Sequence, residues 1–377
     1  MILKEEEIRK LKEVERFSKE KVRLRASEID RLGEFPNDLI NDMISMGLFS
    51  MYIPTKYGGM GYSLSSLMEA VRIISRECAS TSLILDVTVS LFAEPIIQFG
   101  SEFLKENYLG KVARGEIGAL AITEPGTGSD AAAIKTIAKK ENGKYRINGT
   151  KTFITNGKEA RFYLVSAMTD PMKKHKGMTL FVVDRDNPGL SIGNEFRKMG
   201  VRGSSTTEVI LNNVEVGEEY ILGKEGEGFK IEMETLNVGR IGIASQAVGI
   251  SEGAFNDMRN YAMENQENIR EWFLFRMADI ASDLQSSIKN LEEAIAYSES
   301  GKNSPLLSSI SKLTAGDSAV SITSRVLSLL GINSLSEEYP VERRFREAKI
   351  TQIYEGTNEI QRLIIGKELL KGRDFKD

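Results

Sequence analysis

Asn142-Gly143-Lys144-Tyr145-Arg146-Ile147-Asn148-Gly149 decides the fold class. Asn-Gly is the dipeptide of two-residue hairpin turns, because both residues tolerate positive φ. The stretch therefore reads as a short strand with a turn at each end. Similar candidates follow it: Phe162-Tyr163-Leu164-Val165, Met178-Thr179-Leu180-Phe181-Val182-Val183 and Val209-Ile210-Leu211. Asp186-Asn187-Pro188-Gly189 punctuates them, and Ile117 to Ile122 precedes them as another strand. The signal spans residues 117 to 222 with close turns, which predicts a β-domain built as a small barrel or sandwich.

On either side the apolar period is helical. Ile8, Leu11, Val14 and Phe17 form one stripe, and Leu67, Val71, Ile74 and the Leu83-to-Phe92 run continue that character. Tyr57-Gly58-Gly59-Met60-Gly61 reads as a flexible connection between them. After Gly228 helix returns. Phe273, Met277, Ile280, Leu284, Ile288, Leu291 and Ile295 step by four or three, the core stripe of a long bundle helix. Gly239, Gly242, Ala244, Ala247, Gly249 and Gly253 give the helix before it a small-residue face, which close helix approach explains. The predicted class is multidomain α+β. Residues 1–116 form an N-terminal helical domain, 117–225 the β-domain, and 226–377 a C-terminal four-helix bundle.

Composition excludes several function classes. A net charge of −4 argues against nucleic acid as the main partner. One cysteine, Cys78, and one histidine, His175, cannot build a common zinc site, and no metal is expected. His175 sits in a polar Lys-rich segment that reads as a hairpin tip, so a histidine-dependent hydrolase is disfavoured. No apolar run reads as transmembrane, and Met1 to Glu7 is acidic rather than a leader, so no membrane is expected and the expected location is cytoplasmic.

Three segments carry chemistry. Thr123-Glu124-Pro125-Gly126-Thr127-Gly128-Ser129-Asp130 follows a strand, and its glycines and hydroxyls suit phosphate oxygens or a heteroaromatic ring edge. A turn ending in a helix cap at Ser129 or Asp130 is the plain alternative. In Lys151-Thr152-Phe153-Ile154-Thr155-Asn156-Gly157, Phe153 could stack on a planar ring and Thr155 hydrogen-bond to it. A structural cross-strand pair is equally natural. In Ile353-Tyr354-Glu355-Gly356-Thr357 a carboxylate stands at a helix break. Pointed into a dry cavity, Glu355 becomes a base near neutrality, whereas a solvated Glu near a helix end is the alternative. Arg240, within Leu236 to Ala244, needs an anionic or carbonyl partner if buried and an ion pair if exposed.

In this order the segments resemble the acyl-CoA dehydrogenase family, from Ile53 to Gln361. The most specific matches are Ala121 to Asp130, and Glu338-Tyr339-Pro340-Val341-Glu342-Arg343 through Ala348-Lys349-Ile350 to Thr357. Lys198 to Ser204 and Gly239 to Ala244 add support. The resemblance implies FAD held between the β-domain and the C-terminal helices. It implies α,β-dehydrogenation of an acyl-CoA to the trans-2-enoyl-CoA, in fatty acid metabolism, with hydride passing to flavin N5. An electron-transferring flavoprotein is the implied acceptor, and the implied assembly is a homodimer or homotetramer. An acyl-CoA oxidase or a non-catalytic, flavin-depleted acyl-CoA-binding relative is the alternative.

By the same resemblance Glu355 is the catalytic base. The implied cofactor-binding residues are Ala121, Ile122, Thr123, Gly128, Ser129, Phe153, Ile154, Thr155, Thr357 and Asn358. Those implied for substrate are Ser129, Arg240, Tyr354 and Gly356. Some family members take their base from the helix that contains Arg240. Here that position is Gly239, which leaves Glu355 as the candidate. Two departures fall on the adenosine side of the cofactor. The family's Arg-x-x-Phe-Gly segment is missing from the shorter Tyr261 to Ile269, and its Gln-x-x-Gly-Gly-x-Gly segment is replaced by Ser328 to Ser334.

Overall fold

The computed structural model describes residues 3–302, 304–337 and 339–373. Glu338 of the quoted motif lies outside the described residues, as do 374–377 of the third expected domain. The N-terminal part is helical: α1 (Glu5–Phe17), α2 (Arg23–Leu32), α3 (Asn37–Ser45), α4 (Leu64–Ser75), α5 (Ala79–Asp86), α6 (Glu94–Phe99), α7 (Glu102–Leu104) and α8 (Gly110–Ala113). A π-helical segment, Val87–Ala93, joins α5 to α6 into one continuous helix from Ala79 to Phe99. That helix is long and apolar enough to cross a membrane by length and composition, which corrects the sequence reading that no run was. Most of it is buried inside the protein, as a core helix is.

The α1 stripe is buried at Leu11, Val14 and Phe17, but Ile8 is exposed and Glu7 is buried instead. The reason is polar. The Glu7 carboxylate accepts from the Lys4 and Ser63 backbone N–H groups at 2.7 and 2.6 Å, tying the helix start to the start of α4. The expected flexible connection at Tyr57 to Gly61 is pinned. Met60, Gly61 and Tyr62 donate backbone bonds to Ser50, Ile53 and Met51, and a Cβ on Gly59 would lie 1.9 Å from the Ile53 carbonyl oxygen.

Eight strands follow: β1 (Gly118–Ala121), β2 (Ile137–Glu141), β3 (Lys144–Thr155), β4 (Phe162–Met168), β5 (Met178–Asp184), β6 (Leu190–Glu195), β7 (Thr206–Gly217) and β8 (Ile221–Leu222). They form one sheet in the order β6-β7-β3-β2-β4-β5-β8, with β1 parallel to β4. The β2–β4 join is a single pair, Ile137 with Met168, so two half-sheets meet there. Tyr145 of β3 packs its ring 5.0 Å from Phe181 of β5, a contact between the two halves. Asn142-Gly143 is the expected hairpin turn, with φ of +52° and +77°. Asn148-Gly149 is not a turn. It lies inside β3 at a register shift, where Asn148 Oδ1 accepts from the Asn213 N–H at 2.8 Å and Gly149 lets Thr136 close in.

The C-terminal part comprises α9 (Gly228–Glu264), α10 (Glu271–Glu299), α11 (Pro305–Leu330), α12 (Pro340–Ala348) and α13 (Asn358–Leu370). Phe273, Ile280, Leu284, Leu291 and Ile295 of α10 are buried as expected. The small-residue face of α9 has two uses. Gly249 and Gly253 admit the Arg72 and Arg76 carbonyls of the α4 end, as close helix approach requires. Gly239 and Gly242 admit carboxylates instead, and this creates the site.

Candidate active site

Glu355 sits between a 3-10 turn, Lys349–Gln352, and α13, with φ of +52°; Gly356 follows at φ +88°. A left-handed Glu costs about 1–2 kcal/mol and persists where surrounding bonds over-determine it. They do so here. Gln361 Nε2 donates to the Glu355 and Gly356 carbonyls at 3.3 and 2.9 Å, and Lys312 Nζ donates to the Gly356 carbonyl at 2.7 Å. Thr357 Oγ1 caps α13 by accepting from the Ile360 N–H at 3.3 Å. The turn fixes where the Glu355 carboxylate points: onto bare α9 backbone at Gly239. A Cβ there would lie 1.9 Å from Glu355 Oε2 and 2.6 Å from Leu91 Cδ2.

Glu355 Oε2 is buried with no hydrogen-bond partner. Burial, and then the neighbouring Asp86, push the Glu355 carboxyl well above the usual carboxylate range; Lys312 and Arg240 pull the other way without cancelling this. Burial brings Lys312 down to about 7 against the attraction of Glu355, and Arg240 down to about 10. Arg240 is 4% exposed, which settles the open choice in favour of a buried Arg. It donates to Asn237 Oδ1, while its Nε has no partner. Tyr354 donates its hydroxyl to Gln246 Oε1, and Gln246 Nε2 donates to the Ala79 carbonyl at 2.9 Å. That chain ties the Glu355 turn to the start of α5.

The other two segments lie together at the β-domain. The Thr152 N–H donates to the Thr123 carbonyl at 2.8 Å, bringing the loop after β1 against β3. Phe153 occupies a bulge in β3 with φ of +56°, is 61% exposed, and packs its ring 4.6 Å from Phe196. Gly126 and Gly128 face open space: a Cβ on either would meet nothing within 4 Å. Thr127 Oγ1 is buried without a partner. The helix-cap alternative is not realised, because Asp130 makes no capping bond to the short 3-10 turn Ala131–Ala133. Ala121 and Ile154 are buried, Ile122, Thr123 and Thr155 half-buried, and Ser129 exposed. Thr357 and Asn358 line an open pocket with Asp317, Gln352, Ile353 and Arg362. The Asn358 side chain is already engaged, accepting from Lys312 at 2.9 Å and donating to Asp317 at 2.8 Å.

Sequence reasoning missed the group that holds the first loop. Glu124 takes the Lys135 and Thr136 N–H groups at 2.6 and 3.0 Å and Lys151 Nζ at 2.8 Å. Burial raises its carboxyl, but the Lys151 charge and these donors outweigh burial and hold it below the usual range. A lone Glu among the small residues of that loop, with a Lys opening the next strand segment, was the available signal. Asp86 and Lys312 were missed too, and nothing in their local sequence marks them.

Three family models match consecutive parts of the chain. The acyl-CoA dehydrogenase N-terminal domain covers residues 4–116, the middle domain 119–214 and the C-terminal domain 226–370. The chain belongs to the acyl-CoA dehydrogenase family. It is 41% identical to an acyl-CoA dehydrogenase of Bacillus subtilis over 99% of this chain and 100% of that one. The structure of butyryl-CoA dehydrogenase from Megasphaera elsdenii matches with a TM-score of 0.94 at 37% identity, over 98% and 99% of the two chains. A chain from a structure described as the electron transferring flavoprotein of Acidaminococcus fermentans matches with a TM-score of 0.96 at 38% identity, over 99% and 100%. Acyl-CoA dehydrogenases are FAD-dependent flavoproteins, and this chain is an enzyme of that kind, acting on an acyl-CoA thioester. The loop and strand joined by the Thr152–Thr123 bond carry groups that would suit a flavin: an exposed aromatic ring at positive φ, an unpartnered threonine hydroxyl and two glycines opening on free space.

Proposed function

We propose that Glu355 is the base of this acyl-CoA dehydrogenase. What carries the reading is the buried, unpartnered Oε2 of Glu355, aimed at Gly239 by a left-handed turn that three neighbouring side chains hold in place. A desolvated carboxylate of raised basicity takes the α-proton of the thioester: the Cα–H bond breaks, an O–H forms on Glu355, and the electron pair stays on the substrate. The Glu355 N–H makes no hydrogen bond among the described residues, so it is free to polarise the thioester carbonyl. Bound FAD supplies the acceptor for the β-hydrogen.

Thr123, Thr155 and Phe153 hold the isoalloxazine ring in this proposal, with Ala121, Ile122, Gly128, Ser129 and Ile154 around it and Thr357 and Asn358 on the helical side. Ser129, Arg240, Tyr354 and Gly356 border the substrate. The name of the butyryl-CoA dehydrogenase relative supports a short acyl chain. The Acidaminococcus description supports an electron-transferring flavoprotein as acceptor. Trp272, Leu274, Phe275, Ile332 and Leu335 are exposed apolar residues near the two departures noted in the sequence, which supports a homo-oligomer with an altered grip on the adenosine end. The division at 116/117 and 225/226, and a cytoplasmic location for a chain with one buried thiol, belong to the same proposal. With the base and cradle intact, a non-catalytic relative is not favoured. Glu355→Gln tests the assignment. The purified variant should keep its flavin yet lose about 10²–10⁴-fold in the rate of anaerobic flavin reduction by acyl-CoA. Reduction at the parent rate would remove Glu355 from the mechanism.

A further inference from the structure

Two carboxylates each rest a buried oxygen on bare backbone of α9, Asp86 from a wholly buried side chain and Glu355 from a half-buried one. Glu355 lies over Gly239, and Asp86 lies over Gly242, where a Cβ would come within 2.3 and 2.6 Å of its two oxygens. The two glycines are three residues apart, about 4.5 Å of helix rise. Both seats exist because α9 has no side chain at either position.

Asp86 is wholly buried. Its Oδ1 accepts from Ser90 Oγ at 2.7 Å, and its Oδ2 has no partner, as Glu355 Oε2 has none. The charged and titratable groups around the pair come from four directions. Arg240 lies on α9 and Lys312 on α11, and both attract Glu355. Tyr354 stands beside both carboxylates, and Glu347 of α12, paired with Arg343, acts on Tyr354 in turn. Among the described residues no cation forms an ion pair with Asp86 or Glu355.

We infer that Asp86 is a positioning residue for the reaction proposed above: it holds one proton in common with Glu355 and so sets the pH range in which Glu355 is a free base. Two carboxylates seated on glycines three residues apart, each with an unpartnered buried oxygen, resist ionising together and titrate as a pair. Burial, opposed by the Ser90 hydrogen bond, pushes Asp86 up to about 7, and Asp86 is the largest charged contributor to the raised Glu355 carboxyl. With the shared proton on Asp86, Glu355 is the ionised member. Taking the substrate α-proton then leaves both carboxyls neutral, and the negative charge passes with the electron pair to the substrate. This inference rests on Glu355 being the base, and its test separates the two claims.

The test is an infrared pH titration of the protonated-carboxyl band in the flavin-loaded enzyme, with the pH profile of kcat/KM measured beside it. The parent, Asp86→Asn and Glu355→Gln are compared, and Asp86→Ser stands in if the Asn variant does not fold. Expected is a carboxyl signal in the parent that persists to neutral pH. In Asp86→Asn the Glu355 step should fall by about one pH unit, and the acid limb of kcat/KM should fall with it. A merely structural Asp86 would lower kcat at every pH without moving the limb. A Glu355 step unmoved by Asp86→Asn overturns the shared proton. A moved step with an unmoved limb upholds the shared proton and overturns Glu355 as the base.

Discussion

Gly239→Ala should slow the enzyme while leaving its fold in place. The added Cβ would stand 1.9 Å from Glu355 Oε2 and 2.6 Å from Leu91 Cδ2. To restore an ordinary contact of about 3.4 Å the carboxylate oxygen must retreat by about 1.5 Å, and the leucine methyl by about 0.8 Å. The turn bearing Glu355 cannot follow freely, because Gln361 and Lys312 hold its carbonyls. The side chain therefore has to leave its seat. A misplacement of about 1 Å costs about 10²-fold in rate, or about 3 kcal/mol in the barrier. Stability should change less. Overpacking costs about 1–3 kcal/mol, and replacing a mid-helix Gly by Ala returns up to about 1 kcal/mol. The assay is stopped-flow flavin reduction by butyryl-CoA without oxygen, with flavin content and urea unfolding measured in parallel. Gly366→Ala is the control, since a Cβ at Gly366 meets nothing within 4 Å. Flavin reduction by Gly239→Ala at the parent rate would refute the idea that the bare backbone at Gly239 holds the base in position.

Two other outcomes follow from buried or strained side chains. Phe153→Gly should raise the stability of the flavin-free protein by about 1 kcal/mol, because a left-handed aromatic residue is replaced by one that tolerates the conformation. The same change should weaken flavin retention on a desalting column; unchanged retention would remove the ring from the cradle. Glu94 is 5% exposed with Oε2 unpartnered, and burial above all pushes its carboxyl up to about 8. A folded-state value raised above the unfolded one gives stability that is full below the unfolded value and lost as pH rises toward 8. Glu94→Gln should therefore gain on the parent as pH rises, by on the order of 1–3 kcal/mol at pH 8.5, with little difference at pH 5. Thermal melts across that range check it, and a gain independent of pH would contradict the assignment.

The layer order of the fold was legible because it rests on local periodicity. The change from the α1 stripe to Asn142-Gly143 and back to the α10 stripe is visible in neighbouring residues. Asn148-Gly149 was misread because its dipeptide chemistry is that of a turn, while Thr136 and Asn213, distant in sequence, decide that it is a bulge. The helix Ala79–Phe99 was undervalued because polar Asp86, Thr88, Ser90 and Glu94 interrupt its apolar character, and these are buried together. Glu355, Thr123 and Phe153 stood out through their local company. Asp86, Lys312 and Gln361 did not, since each acts through a partner on another element or across a turn. Gly239 and Gly242 looked like helix-packing glycines, and only the positions of Glu355 and Asp86 show what fills the space.

The central claim is that this chain dehydrogenates an acyl-CoA with a bound flavin and Glu355 as base. The most direct measurement is the visible spectrum of the purified protein without oxygen, before and after adding acyl-CoAs of increasing chain length, for the parent and Glu355→Gln. The parent should show a flavin spectrum that bleaches, most readily with a short chain, while the variant keeps its colour. A parent protein that takes up no FAD and responds to no thioester, or a variant that bleaches as fast as the parent, would contradict the account.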